Sequence, residues 1–237
     1  MSKQMRIGAL GEVFNSKTEL PVGSILVDAH VLYKLKADNR DTCRFAIMGN
    51  RLPKEPMSKT FASVVSDGAK MFSLSAMQAH CSSRGEELII SDADVVGGFL
   101  HIPLNSPVPM FVRMPKNLPH RLAGKLVRIL AAIYRLQESN MLFGLEFSRV
   151  IVEDAKFVCT SVEKQIFVKH SDQCFEKQCI TCVTVDDAFV LSNDKSLIDD
   201  LFAALTKRFG PLTINKVCTV YTDLELTRYP NGAVLVT

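Results

Sequence analysis

The sequence has no tryptophan, no apolar run long enough to span a bilayer, and no basic-then-apolar leader after Met1. Neither sign of charge dominates, because 28 basic and 25 acidic residues leave a net charge of +3. The seven cysteines are an odd number and are too sparse, in 237 residues, for the disulfide framework of a small secreted domain. We therefore expect a soluble, cytoplasmic protein without a membrane partner.

The remaining composition describes a chain that can fold around a sizeable core. Hydrophobic residues make up 47% of the sequence, and the length suits one large or two small domains. The mildly basic balance is compatible with nucleic acid binding but does not establish it. One segment, 111–128, carries five basic residues and no acidic one: Arg113, Lys116, Arg121, Lys125 and Arg128. This segment is either a solvated face or a phosphate-binding strip.

Periodicity predicts a mixture of strands and helices. Residues 25–50 resemble a β-hairpin, whereas 66–85 and 194–210 have the apolar spacing and end signals of amphipathic helices. Residues 120–152 fit one long helix or several shorter elements. The order of elements predicts an α+β fold, with helices packed on one face of a largely antiparallel sheet.

The stretch ITCVTVDDAFVLSN, residues 180–193, places Asp186 and Asp187 between two apolar runs. This arrangement is either a polar hairpin turn or a metal site at the tip of a buried hairpin. Asp94, in DVVGGFL, is another aspartate at the end of a predicted strand. Three rigidly held carboxylates are what a two-metal phosphoryl-transfer site requires, and oxygen ligands suit Mg²⁺.

A cysteine cluster offers a different chemistry. Cys174, Cys179 and Cys182 have the spacing C-x4-C-x2-C, which is similar to that of plant-type iron–sulfur proteins. A redox or metal protein is therefore one hypothesis. Cys182, however, belongs to the apolar strand before the two aspartates, so we expect free thiols that do not converge.

Seven segments follow one another in a recognisable order: VLYKLKADNRDTCRFAIMGN, TFASVV, DVVGGFLHIPL, MFVRMPKNL, AIYRLQESNMLF, VTVDDAFVLSN and LFAALTKRFGPLTINKVCTVYTDLELTR. In this order and spacing they resemble the reverse transcriptase of copia-type LTR retrotransposons. The resemblance implies a right-hand polymerase fold with fingers and palm, as one unit over 1–237. The fingers would lie mainly within 20–90 and the palm within 91–237, and the family's thumb and RNase H would be absent.

The resemblance also implies an activity and its site. An RNA-directed DNA polymerase would hold two Mg²⁺ ions on Asp94, Asp186 and Asp187. Phe99 would close on the sugar of the incoming nucleotide, unless it is an ordinary core residue. The hairpin of residues 221–226 would grip the primer. The implied partners are an RNA template, a DNA primer, deoxynucleoside triphosphates and the rest of a polyprotein, in the cytoplasm or within virus-like particles.

Three basic residues of the fingers, Lys34, Lys36 and Arg44, would meet the nucleotide triphosphate, although a solvated hairpin would also explain the two lysines. Glu138 stands near the triphosphate where the family has glutamine, and its carboxylate would repel that substrate. Other departures from the family pattern are Thr42, Met48, Asn140, Met141, Phe143 and Thr184. These departures leave a second hypothesis open, in which a degenerate, non-catalytic reverse transcriptase fold is retained for binding nucleic acid or a partner.

Overall fold

The structure is a computed structural model that describes residues 9–35, 41–52, 64–118, 121–136, 138–222, 224–230 and 232–237. Three α-helices lie within them: α1 (Asp67–Arg84), α2 (Ser139–Arg149) and α3 (Lys195–Phe209). The strands are β1 (Leu10–Phe14), β2 (Ile25–Leu35), β3 (Asp41–Ile47), β4 (Ile89–Val95), β5 (Met110–Arg113), β6 (Leu126–Ile129), β7 (Val158–Cys159), β8 (Ile166–His170), β9 (Gln178–Thr184), β10 (Asp187–Ser192), β11 (Leu212–Asn215), β12 (Val220–Tyr221), β13 (Leu224–Arg228) and β14 (Val234–Val236). No helix of the described residues combines the length and the apolar character needed to cross a membrane.

The chain divides into two compact units. The first contains residues 1–61 and 97–143, and the second contains 62–96 and 144–237. Each unit therefore takes residues from both of the segments, 20–90 and 91–237, that the sequence analysis distinguishes. The assignment of those segments to fingers and palm stays a prediction.

The first unit is built on a five-stranded sheet in the order β1-β6-β5-β2-β3. All of its strand pairs are antiparallel except β2 with β5, where Ile25 lies opposite Met110. Its core includes Val27, Ile47, Val112 and Val127, which are almost completely buried. Of the two alternatives for residues 120–152, several shorter elements are observed rather than one long helix, since β6 joins this sheet before α2 begins.

The second unit contains a six-stranded antiparallel sheet in the order β11-β4-β10-β9-β8-β7. Every residue of β10 after Asp187 is buried, so this strand is covered on both faces. Helix α1 shares one cluster with Ile90 and Phe189, whereas α3 packs against β4, β9, β10 and β11 without contributing to that cluster. The expectation of helices on a single face is therefore wrong, because the apolar run of β10 buries both faces.

Helix α1 shows how local signals position this unit. The Ser66 hydroxyl accepts a hydrogen bond from the Ala69 N–H at 3.3 Å, and Gly85 ends the helix in the left-handed conformation, with φ of 65°. Between these ends, Leu74, Met77 and Cys81 form the buried stripe. Opposite the helix stand Cys182 and Phe189 of the sheet, together with Tyr221 and Leu226 of the three-stranded sheet β12-β13-β14.

Candidate active site

The pairing of β4 with β10 brings two of the predicted aspartates together. Asp94 lies directly opposite Asp187 in the antiparallel register. The Val95 N–H donates to the Asp186 carbonyl at 3.3 Å, which makes Asp94 and Asp187 a non-hydrogen-bonded pair. Side chains of such a pair leave the sheet on the same face and are closer together than those of a hydrogen-bonded pair. Two carboxylates that are distant in sequence are therefore cross-strand neighbours.

Asp186 stands in the turn that joins β9 to β10. Thr184 is paired with Asp187, so Val185 and Asp186 form a two-residue hairpin loop. Val185 has a φ of 56°, a left-handed conformation that is strained for a β-branched residue. The predicted hairpin with the aspartate pair at its tip is confirmed, and strained backbone of this kind is concentrated at functional sites.

The electrostatics of this end of the sheet are dominated by negative charge. Burial raises the pKa of Asp187 to about 7, with further increases from the charges of Asp186, Asp94 and Asp92. Lys70 acts in the opposite direction and lowers this pKa. A carboxyl group that repels its neighbours in this way is a favourable position for a cation or a shared proton.

Asp92 is a fourth carboxylate that was not among the predicted site residues. It lies two positions before Asp94 on β4, so both side chains face the same side of the sheet. One of its oxygens, Oδ2, accepts a hydrogen bond from the Asn215 amide of β11 at 2.8 Å. The period-two spacing of the two aspartates is the sequence signal that identifies this residue.

A divalent cation suits this donor set. Aspartate oxygens are the hard ligands that Mg²⁺ prefers, and the mutual repulsion of the carboxylates is relieved by positive charge. Among the residues that the structure describes, no three His, Cys, Asp or Glu side chains already stand as a metal cluster. The carboxylates would therefore have to draw together around an ion, with water and substrate completing its coordination.

A lysine of α1 also belongs to this region. Lys70 is buried, with its side chain 4% exposed, and its Nζ donates to Asp67 Oδ1 at 2.8 Å and to Thr222 Oγ1 at 3.2 Å. The same ammonium lies 5.3 Å from the centre of the Tyr221 ring. The Tyr221 hydroxyl in turn donates to the Asp187 carbonyl at 3.2 Å. Sequence reasoning missed Lys70, although its helical spacing from Leu74 and Met77 places it on the buried stripe.

The predicted nucleotide contacts of the fingers are only partly described. Lys36 lies outside the described residues. Lys34 and Arg44 belong to β2 and β3, where Lys34 is paired with Thr42 and Arg44 with Leu32. Their backbone register confirms the predicted hairpin, and their contact with a triphosphate stays a prediction.

Phe99 and Glu138 belong to the first unit, whereas the three predicted metal ligands belong to the second. Phe99 is 5% exposed and makes edge-to-face contacts with Tyr134 and Phe143. These contacts describe a core residue, and the role of Phe99 at a sugar remains a prediction. Glu138 is partly exposed, and its carbonyl accepts the Leu142 N–H at 2.9 Å as α2 begins.

The basic segment 111–128 is partly neutralised within the first unit. Arg113 pairs with Asp28 at 3.3 Å, and Arg128 pairs with Glu12 at 3.2 Å. Lys125 donates a hydrogen bond to Asn15. These contacts favour a solvated, ion-paired face over a continuous phosphate-binding strip.

The three clustered cysteines do not form one site. Cys179 and Cys182 are three positions apart on β9, so their side chains leave opposite faces of the sheet. Both are buried free thiols, and burial raises the pKa of Cys179 to about 12 and that of Cys182 to about 11. Cys174 is exposed. Metal ligation by these three cysteines is therefore disfavoured, because Cys179 and Cys182 point to opposite faces and their raised pKa values oppose formation of the thiolate.

Neither a protein-family model nor a curated protein sequence matches the chain. Its fold is similar to that of telomerase from Candida albicans, solved in complex with the TWJ fragment of telomeric RNA, with a TM-score of 0.54 and 10% sequence identity. The similarity covers 93% of this chain and 46% of the telomerase chain, so the chain spans about half the length of that neighbour. At this identity the comparison concerns the fold alone, which is α+β and similar to that of this telomerase.

Proposed function

We propose that the chain is the fingers-and-palm part of an RNA-directed DNA polymerase that transfers nucleotides with two metal ions. The observation that carries the proposal is the register of β4 and β10, in which Asp94 lies opposite Asp187 beside Asp186 in the turn. The fold similarity to a telomerase supports the same class. The order of the sequence motifs supports an origin in a copia-type retrotransposon polyprotein that acts in the cytoplasm.

Each carboxylate has a defined part in this proposal. Asp94, Asp186 and Asp187 would hold the two ions, and strand pairing fixes Asp94 and Asp187 relative to each other before any ion binds. When bound, Mg²⁺ supplies charge stabilisation for the attacking hydroxyl and the transferred phosphate. Asp187 is divided between its protonated and ionised forms near pH 7, because its pKa is about 7. In the protonated fraction, the uncharged Asp187 relieves part of the repulsion within the cluster when no cation is bound.

A second candidate is the same fold used for binding without catalysis. It is favoured by Glu138 and Met48, which replace a glutamine and a basic residue of the family pattern. A carboxylate near a triphosphate weakens substrate binding, whereas template and primer contacts do not depend on it. The two candidates thus differ in whether nucleotides are incorporated, and they agree on nucleic acid binding.

Primer extension on an RNA template separates the two candidates. The full chain is incubated with a labelled DNA primer, deoxynucleoside triphosphates and Mg²⁺, next to Asp186→Asn and the exposed-surface control Asp172→Asn. We expect extension by the parent chain and by Asp172→Asn, and loss of extension by Asp186→Asn. If all three proteins bind the template–primer and none extends the primer, the polymerase proposal is refuted and the non-catalytic binding function is supported.

A further inference from the structure

Lys70 is a charged residue on the apolar face of a helix. Its neighbours on the buried stripe of α1 are Ser73, Leu74 and Met77, and its own side chain is 4% exposed. A buried ammonium requires compensation, because it loses its favourable hydration when it is removed from water. Its hydrogen-bonded anionic partner, Asp67, has a side chain that is 72% exposed, so water screens that ion pair. Asp67 alone is thus a weak reason for burying the charge.

The surroundings of Lys70 lead to the carboxylates. Its ammonium faces the ring of Tyr221, and the hydroxyl of that ring donates to the Asp187 carbonyl. Helix α1 packs on Ile90 and Phe189. Ile90 lies four positions before Asp94 on β4 and Phe189 lies two positions after Asp187 on β10, so α1 covers the same face of the sheet that carries these aspartates. Thr222, whose hydroxyl accepts a hydrogen bond from the Lys70 Nζ at 3.2 Å, directly follows Tyr221 in the chain. The ammonium therefore lies beside the segment that contacts β10 at Asp187.

We propose that Lys70 is an internal counter-ion of the cluster formed by Asp92, Asp94, Asp186 and Asp187. Its fixed charge stabilises the cation-free site and weakens the binding of divalent ions at the same carboxylates. Lys70 is a positioning residue rather than a metal ligand. Its ammonium lies next to the ring of Tyr221, whose hydroxyl contacts the Asp187 carbonyl, and its charge acts on the carboxylates at a distance. The inference rests on the proposed function only for the identity of the carboxylates as metal ligands.

Divalent-ion binding tests the competition between Lys70 and a metal. Mn²⁺ is titrated into the full chain and followed by electron paramagnetic resonance of the free ion. Because one unit charge acts on a divalent ion across a partly solvated gap, we expect Lys70→Met to tighten Mn²⁺ binding about three- to tenfold. Lys70→Arg keeps the charge and should bind Mn²⁺ as the parent does. Unchanged or weaker binding by a folded Lys70→Met would overturn the competition.

Lys169 provides a matched control. It is also a largely buried lysine of the second unit, with a side chain 16% exposed, an ion pair to Asp200 at 3.0 Å and an aromatic ring, Phe157, at 5.8 Å. Its ion-pair partner and its aromatic neighbour both lie outside the carboxylate cluster. Lys169→Met should therefore leave the Mn²⁺ affinity unchanged. An equal gain in both methionine variants would indicate a general loss of positive charge and would refute a specific role for Lys70.

A double-mutant cycle tests the counter-ion without any metal. Urea unfolding is measured in EDTA at pH 8 for the parent, Lys70→Met, Asp187→Asn and the double variant. We expect non-additivity, with Lys70→Met less destabilising when Asp187 is already neutral. Additive effects would overturn the counter-ion. If no variant binds Mn²⁺ but the cycle is non-additive, the metal site proposed above fails while the counter-ion survives.

Discussion

Replacing Asp187 with asparagine should stabilise the metal-free protein at alkaline pH. The pKa of Asp187 is about 7 in the folded chain, because the carboxyl is partly buried beside Asp186, Asp94 and Asp92. In the unfolded chain the same carboxyl has a pKa of roughly 3.9. Asparagine keeps the size and polarity of the side chain and removes its charge. The substitution therefore removes the repulsion that the folded state alone experiences.

The sign and the size of the change in the free energy of unfolding follow from the folded and unfolded pKa values of Asp187. Between pH 4 and pH 7 the folded state binds a proton on Asp187 and the unfolded state does not, so the stability from this group falls as pH rises. It is fully present below about pH 4 and is lost as pH passes through the folded value near 7. A gap of about three pKa units corresponds to at most about 4 kcal/mol. Since the side chain is partly exposed, solvent screening reduces our expectation to about 1–3 kcal/mol.

The assay is urea unfolding of the parent and Asp187→Asn in EDTA, in steps from pH 4.5 to pH 8.5. The two free energies of unfolding should be similar at the acidic end and diverge towards alkaline pH, with the asparagine variant more stable. Mg²⁺ in place of EDTA should reduce the difference. Asp172→Asn, on an exposed segment, should show no such divergence. A variant that is less stable than the parent at pH 8.5, or a difference independent of pH, would refute the reasoning.

Three further substitutions test the backbone and the substrate contacts. Val185→Gly should raise the free energy of unfolding by about 1 kcal/mol, because glycine adopts the positive φ without strain; an unchanged midpoint of urea unfolding would show that the turn is relaxed. Gly49→Ala should lower the free energy of unfolding by roughly 2 kcal/mol or more, since the new Cβ would clash with the Arg135 carbonyl oxygen; Gly68→Ala, with open space around it, is the control in thermal unfolding. Glu138→Gln should lower the KM for nucleotides about tenfold in primer extension, and an unchanged KM would place this carboxylate away from the triphosphate.

Helices and hairpins whose ends are set by neighbouring residues are predictable from the sequence. Helix α3 begins where Asp194 accepts the Ser196 N–H at 2.8 Å, and it stops before Gly210, whose φ is 79°. The β9–β10 hairpin followed from two apolar runs around an aspartate pair. In each case the residues that set the boundary are neighbours in the chain, so a single sequence contains the whole signal.

Pairings between distant segments were not predictable in this way. Strand β5 runs parallel to β2 and β11 pairs with β4, and neither short strand carries a pattern that identifies its partner. Lys70 illustrates the same limit for the site. Helical spacing places it on a buried stripe, but its partner Thr222 is 152 positions away in sequence. Such contacts are decided by the packing of segments that are distant in sequence, and local secondary-structure propensities contain no information about that packing.

Two features of the β9–β10 hairpin that destabilise the fold help to decide whether the site is functional. The turn carries a strained valine at Val185, and the adjacent carboxyl of Asp187 is held where its charge is unfavourable. Neither feature is required by the fold, because glycine at Val185 and asparagine at Asp187 would satisfy the same hairpin with greater stability. Backbone strain and charge repulsion that occur together in one hairpin indicate selection for something other than stability. Glu138 is different, because a partly exposed carboxylate at the start of α2 costs folding little. The carboxylate cluster is therefore a better guide to function than the carboxylate of Glu138.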